Sequence, residues 1–285
     1  MTSPMPVGAP AFDLPNLRDL GGLPAADGLR VRSGLLFRSP ALARASARDL
    51  ATLERIGVRT VVDLRSAWER ERAPEAHLLP AGTAYVVADV NRDDVVRSPM
   101  WQLHALETPA QRRAAFGDGR AEAGFEAKFR DFVTGDSPRR AFGLLLASLA
   151  SEGALPAVFH CSTGKDRTGW AAAVLLTYLG VGEAEVLADY MAGNEAIREL
   201  MRPAIERHVA DGGDEADLDA LVGVRASYLR AGLEEVALVH GSMDAYVGQW
   251  LGLGAAGARL RAALLEPDAA DPRTSLPGVG ATTSS

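Results

Sequence analysis

Four short runs of apolar and β-branched residues punctuate the chain: GLLFRS (34–39), RTVVDLRS (59–66), TAYVVAD (83–89) and PAVFHC (156–161). Each is too short for a helix and rich in residues that pack on a pleated surface, so each predicts a strand. In the gaps between them the apolar positions recur at helical spacing, as in SARDLATLERIGV and SPRRAFGLLLASLASEG. Strands alternating with helices need right-handed crossovers. The pattern therefore predicts an α/β fold with a central, mainly parallel sheet flanked by helices. Such sheets bind ligands at the carboxyl ends of their strands. Those ends carry Arg38-Ser39, Asp63-Leu64-Arg65-Ser66 and His160-Cys161. Two readings are open there: the serines can cap following helices with solvated arginines beside them, or these residues can line a pocket.

Over residues 91–137 the pattern gives way to a polar, Arg-rich segment of two amphipathic pieces separated by GDGR. It predicts a helical insertion ahead of the fourth strand, either packed decoration or a mobile lid. Everything from the fourth strand to about Leu265 reads as helix. Residues 1–12 are expected to be flexible and 13–265 to form one domain. Residues 266–285 hold too little apolar surface to fold and are expected to be a disordered tail.

With 285 residues and 47% hydrophobic content, the chain can bury a sizeable core. Its net charge of −7 argues against nucleic-acid partners. A single cysteine excludes an intramolecular disulfide framework and a multi-thiolate metal site. No basic leader precedes an apolar core at the N-terminus, and no run reaches the roughly 18 apolar residues of a membrane span. The expectation is a cytoplasmic protein without integral membrane association, with export lacking a signal peptide left open.

The lone cysteine stands in VFHCSTGKDRTGW, where a strand runs into a long apolar helix. A tight loop there turns successive N–H groups inward, and the helix adds its unsatisfied N–H groups and positive dipole end. The product is an anion cradle of Ser162, Thr163, Gly164 and Lys165. Arg167 can grip phosphate with two parallel hydrogen bonds. Neither GxxxxGK[ST] nor GxGxxG fits the stretch. Lys165 and Lys128 are the only lysines of the chain, which marks Lys165 for attention.

The residues HCSTGKDRTG (160–169) resemble the HCxxGxxR[ST]G signature of cysteine-dependent protein tyrosine phosphatases. Their GKDRTG form is similar to that of the bacterial atypical tyrosine and lipid phosphatases, of the mycobacterial secreted tyrosine phosphatase B type. NLRDLGGLPAADGLRVRSGLLFRSPAL, VVDLRS and SMDAYVGQWLGL fit the same family, so the likeness spans about residues 13–265. It implies that Cys161 is a nucleophile forming a phosphocysteine, that Arg167 and the loop amides hold the phosphoryl oxygens, and that no metal or cofactor is needed. It further implies that His160 orients the loop and that Thr168 donates to the departing thiolate. Asp166 is the general acid the resemblance favours, with Asp63, Asp131 and Asp136 as alternatives. Lys165 would add a second positive charge toward multiply phosphorylated inositol headgroups. Arg18 with Asp19, and Asp63 with Arg65, would support the site, whereas Asp189, Tyr190 and Asn194 match family positions without an assigned role.

The function expected is hydrolysis of phosphotyrosine monoesters, with phosphoserine, phosphothreonine and phosphoinositides as further substrates. Two other readings stand beside it. One is a non-catalytic phosphate-binding module of the same fold; the other is a sulfurtransferase, which would not require Arg167 and Thr168.

Overall fold

The structure is a computed structural model, and it describes residues 11–93, 99, 102 and 106–269. Its main sheet has five strands in the order β1-β4-β7-β5-β6. These are β1 (Arg18–Asp19), β4 (Leu36–Ser39), β5 (Thr60–Asp63), β6 (Ala84–Val87) and β7 (Ala157–His160). The last four run parallel and β1 is antiparallel to β4. All four apolar runs of the sequence are strands of this sheet. A second, antiparallel sheet joins β2 (Pro24–Ala25), β3 (Leu29–Val31) and β8 (Leu265–Pro267).

Register decides where the site lies. Ser39 pairs with His160, His160 with Asp63, and Asp63 with Val87, so four strands end in one row. β4, β5 and β7 are buried throughout. Side chains alternate between faces along each strand. Phe37, Val61 and Val158 therefore share one face, where they pack with Leu42 and Leu53 beneath the helix Ala47–Ile56. Leu36, Val62, Ala157 and Phe159 share the other, under the helices Asp166–Tyr178 and Asp136–Leu149. The helix Asp166–Tyr178 is apolar on every side and buried on nearly every side, as a helix in the centre of a domain must be.

Two boundaries differ from those expected. Glu266 and Pro267 belong to β8, paired with Arg30 and Leu29, so the folded chain continues past residue 265. Ladder pairing uses backbone groups and does not require apolar side chains. Phe12 packs edge-on against Phe37 at 6.0 Å and so is part of the folded chain; residues 1–10 and 270–285 lie outside the described residues. In the 91–137 segment, the helix Arg120–Thr134 buries Phe125, Phe129, Phe132 and Val133 completely, which makes it a core helix and not a lid. Its Phe125 stacks on Tyr228 at 4.8 Å, and Phe129 meets Trp170 and Tyr190 edge-on at 6.2 and 6.0 Å. Residues 94–98, 100, 101 and 103–105 of that segment are outside the described residues. Among the described residues no helix is long and apolar enough to cross a membrane.

Phe129→Ala is expected to cost about 3–5 kcal/mol of unfolding free energy, as truncation of a fully buried aromatic does. Urea denaturation measures it. A loss within about 0.5 kcal/mol, the scale of a surface substitution, would mean that Arg120–Thr134 does not pack as a core helix.

Candidate active site

β7 ends at His160, the loop 161–165 follows, and the helix begins at Asp166. Gly164 takes φ +70°, and a Cβ there would lie 2.8 Å from the backbone of Ser39 and Pro40. Only glycine allows both that conformation and that approach. For the loop N–H groups to face outward its carbonyls must turn into the protein, and each finds a partner. Cys161 O is 3.2 Å from His160 Nδ1, and Ser162 O accepts from Ala41 N at 3.3 Å. Asn16 Nδ2 donates to Thr163 O and Gly164 O at 3.2 and 3.1 Å, and Arg38 Nη2 donates to Gly164 O at 2.8 Å. Lys165 O accepts the helical bond from Gly169 N.

Arg38 is buried, not solvated, and is held by Asp189 at 2.5 Å. Asp189 also receives Arg18 Nε at 3.0 Å. Burial would raise the Asp189 carboxyl, but the two guanidiniums outweigh it and hold the group below its ordinary value. This overturns the expected Arg18–Asp19 pair. Asp19 instead accepts from Gly21 N and Gly34 N at 2.8 and 2.6 Å, closing a turn, while Arg18 crosses to Asp189. Gly169 leaves room for Tyr190, whose ring a Cβ would approach to 2.8 Å.

Behind the loop lies a second buried network. His160 Nε2 stands 2.7 Å from Glu75 Oε1, without hydrogen-bond alignment. Arg65 reaches Glu75 at 3.0 Å and Asp63 at 2.7 Å, and Tyr85 donates to the same Asp63 carboxylate. Burial pushes Asp63 up, yet Arg65, His160 and Tyr85 together bring it below its ordinary value. An ionised carboxylate with no exposed surface cannot donate a proton to a ligand, so Asp63 drops out as an acid. Asp63, Glu75 and His160 are ligand types within 4.8 Å of one another. The Arg65 guanidinium is in contact with both carboxylates of that cluster.

In front of the loop is a cavity of about 440 Å³ lined by Cys161, Ser162, Thr163, Asp166 and Arg167, with Arg44, Lys128 and Arg207 adding positive charge and Trp68, Met201 and Pro203 apolar surface. Asp166 Oδ1 and Thr168 Oγ1 are buried with no hydrogen-bond partner among the described residues. Burial raises the Asp166 carboxyl, with Lys165 and Arg167 pulling against it. The other candidate acids do not line this cavity: Asp131 is held by Lys128 at 2.9 Å, and Asp136 faces solvent beside Arg139. A larger neighbouring cavity of about 730 Å³ shares Trp68 and Asn91 with it but holds none of the signature residues.

Lys165 corrects a further expectation. It does not line the cavity; its buried ammonium points to the carbonyls of Leu221, Val222 and Gly223. Ser39 does not cap a helix either, since its hydroxyl donates to Pro40 O at 2.7 Å, whereas Ser66 does cap the helix Ala67–Arg72.

Glu69 is the residue missed. Its carboxylate takes Arg167 Nη1 and Nη2, each at 2.7 Å, and also accepts from Ser162 Oγ. Leu64 O takes Arg167 Nη1 as well, at 3.3 Å, so three bonds leave two of the five guanidinium donors for an anion. Burial would raise Glu69, but the charge of Arg167 overrides it and holds the carboxyl well below the usual range. The sequence did carry a signal: Ser66-Ala67-Trp68-Glu69 is a capping box, which fixes Glu69 in the first turn above the strand end.

The model of the tyrosine phosphatase family matches residues 10–266. The chain belongs to that family. It is 36% identical to a Cupriavidus necator protein with a provisional tyrosine-protein phosphatase name, over 83% of this chain and 82% of that one. The triple specificity protein phosphatase PtpB of Mycobacterium tuberculosis is 30% identical over 69% of this chain and 78% of PtpB. Pseudomonas aeruginosa TpbA, a solved structure, aligns at 18% identity over 73% of this chain and 91% of TpbA, with a TM-score of 0.25 that is too low to bear on the site.

Glu69→Gln should keep the cap and lose the ion pair to Arg167 in this phosphatase, at about 2 kcal/mol near neutral pH. The folded-state carboxyl is depressed, so its stabilisation is complete above the ordinary value of 4.5 and fades as the pH falls below it. Urea melts of wild type and variant from pH 7 to pH 3 should therefore converge. A gap that stays constant would show that the pair contributes nothing.

Proposed function

We propose that this tyrosine phosphatase hydrolyses phosphomonoesters through a phosphocysteine on Cys161, with Asp166 as general acid and no metal. The observation that carries the reading is that Cys161, Asp166 and Arg167 share one cavity wall at a helix N-terminus. The Cys161 thiolate attacks phosphorus from the loop side while the ester oxygen departs on the opposite side. That oxygen takes the proton of the Asp166 carboxyl. Arg167 and the amides of 162–167 hold the three remaining oxygens as charge builds on them. Water then attacks the phosphocysteine, Asp166 accepts its proton, and the Sγ–P bond breaks. Thr168 Oγ1, unpartnered and next to the loop, supplies a hydrogen bond to the leaving thiolate. His160 acts at one remove, through the Cys161 carbonyl and Glu75.

Phosphotyrosine is the primary substrate in this reading, with phosphoserine, phosphothreonine and phosphoinositides also admitted. The name of PtpB as a triple specificity phosphatase and the exposed arginines Arg44 and Arg207 on the cavity lining support that breadth.

Assays on p-nitrophenyl phosphate, phosphotyrosine and phosphoserine peptides and phosphatidylinositol monophosphate, all in EDTA, test it. Wild type should turn over and Cys161→Ser should not. Asp166→Asn should lose about 10²- to 10⁴-fold in kcat on peptides, and less on p-nitrophenyl phosphate, whose leaving group needs little protonation. Because Asp166 acts protonated and its carboxyl is raised, the wild-type rate should fall along an alkaline limb above the ordinary 3.8, absent from Asp166→Asn. Phosphate binding without turnover would leave a binding module as the better account.

A further inference from the structure

The one lysine of the signature loop faces away from the substrate cavity. Lys165 closes the N-terminal end of the helix Asp166–Tyr178, and about 1% of its side chain is exposed. Its Nζ donates to Leu221 O, and lies 3.4 and 3.3 Å from Val222 O and Gly223 O. These carbonyls end the short helix Asp219–Val222, where unsatisfied acceptors favour a cation. The same ammonium stands 4.8 Å from the centre of the Phe125 ring and 3.8 Å from Asp166 Oδ2. An ammonium has three donors, and here they are directed at protein carbonyls, with an aromatic face and a carboxylate alongside. Asn194 clamps the far side of the same turn, accepting from Val224 N at 2.7 Å and donating to Val224 O at 3.1 Å.

We propose that Lys165 is a positioning residue, which pins the 221–223 turn beneath the signature loop and fixes the place and electrostatic surroundings of the Asp166 carboxyl, and that it does not bind substrate phosphate. This rests on the acid role given to Asp166 above. The charged and titratable groups that act on Asp166 are Lys165 and Arg167 from its own turn, Tyr190 from the helix Glu183–Ala192 and Tyr228 from the helix Ala226–His240. Burial raises Asp166, and the charge of Lys165 is the largest pull in the opposite direction. Burial lowers Lys165, while Asp166 and Cys161 hold its proton on. Without that charge Asp166 should keep its proton to higher pH.

Two measurements test the proposal. In the native wild-type protein, acetylation by an N-hydroxysuccinimide ester, read by mass spectrometry, should reach Lys165 at least about tenfold more slowly than in urea, at a rate unchanged by saturating inorganic phosphate. On a phosphotyrosine peptide, Lys165→Gln, which keeps a donor and loses the charge, should move the alkaline limb of kcat up by about one pH unit or more. Lys165→Arg, which keeps the charge, should leave the limb in place. KM for phosphatidylinositol bisphosphate relative to phosphotyrosine should stay within about twofold in Lys165→Gln. Fast native acetylation that phosphate blocks would overturn the proposal. So would an unmoved limb with a KM raised for the bisphosphate alone. If wild type turns over no substrate, the hydrolase reading fails, and the acetylation rate still decides which way Lys165 points. The same measurement stands if neither variant folds.

Discussion

An anion cradle made of backbone N–H groups has an obligatory reverse side. The loop 161–165 can aim its amides at a phosphate only if its carbonyls turn into the protein, where an unpaired acceptor costs about 1–3 kcal/mol. Much of the surrounding structure satisfies that one demand. Asn16, from the segment before β1, and Arg38, at the end of β4, converge on Thr163 O and Gly164 O. Arg38 is itself a buried charge and needs Asp189, and Asp189 draws in Arg18. Each step follows from the cost of leaving the previous group unpaired.

The front of the cradle obeys a different constraint. An arginine that is to hold an anion is best oriented before the anion arrives, because ordering it during a reaction would add to the barrier. Glu69 does this, and it can because the capping box of Ser66 fixes it in the first turn of a helix that starts directly after β5. Parallel pairing places that strand end beside His160, so the carboxylate meets Arg167 across the top of the sheet. One local motif and one strand register together orient the Arg167 guanidinium.

Charge of both signs is therefore layered around the loop. Arg38 and Asp189 lie beneath it, His160 with Glu75, Asp63 and Arg65 behind it, and Arg167 with Glu69 at its mouth. Lys165 and Asp166 sit at its end with ammonium and carboxylate 3.8 Å apart, Asp166 lining the cavity and Lys165 directed to the 221–223 turn. Burial raises the Asp166 carboxyl against the pull of Lys165 and Arg167.

Several features were legible in the chain because their signals are local. The four strands announced themselves by composition and length, and the strand-to-helix loop by its glycine spacing, whereas the box that Ser66 forms with Glu69 was local too and went unread. The rule that ligands bind at strand ends drew attention to the row in which four of the strands end. What the chain could not announce is which partner a long charged side chain finds. Arg18 meets Asp189 across 171 positions, and Lys165 meets Leu221 across 56. Adjacency suggested Arg18 with Asp19, and the resemblance suggested Lys165 toward headgroup phosphates; both side chains turn elsewhere, because a buried charge goes to whichever acceptors the packed surfaces bring to it. Periodicity and capping act within a turn or two of chain and are fixed before folding is complete. The direction of a charged side chain is settled only when distant elements dock and remove its water.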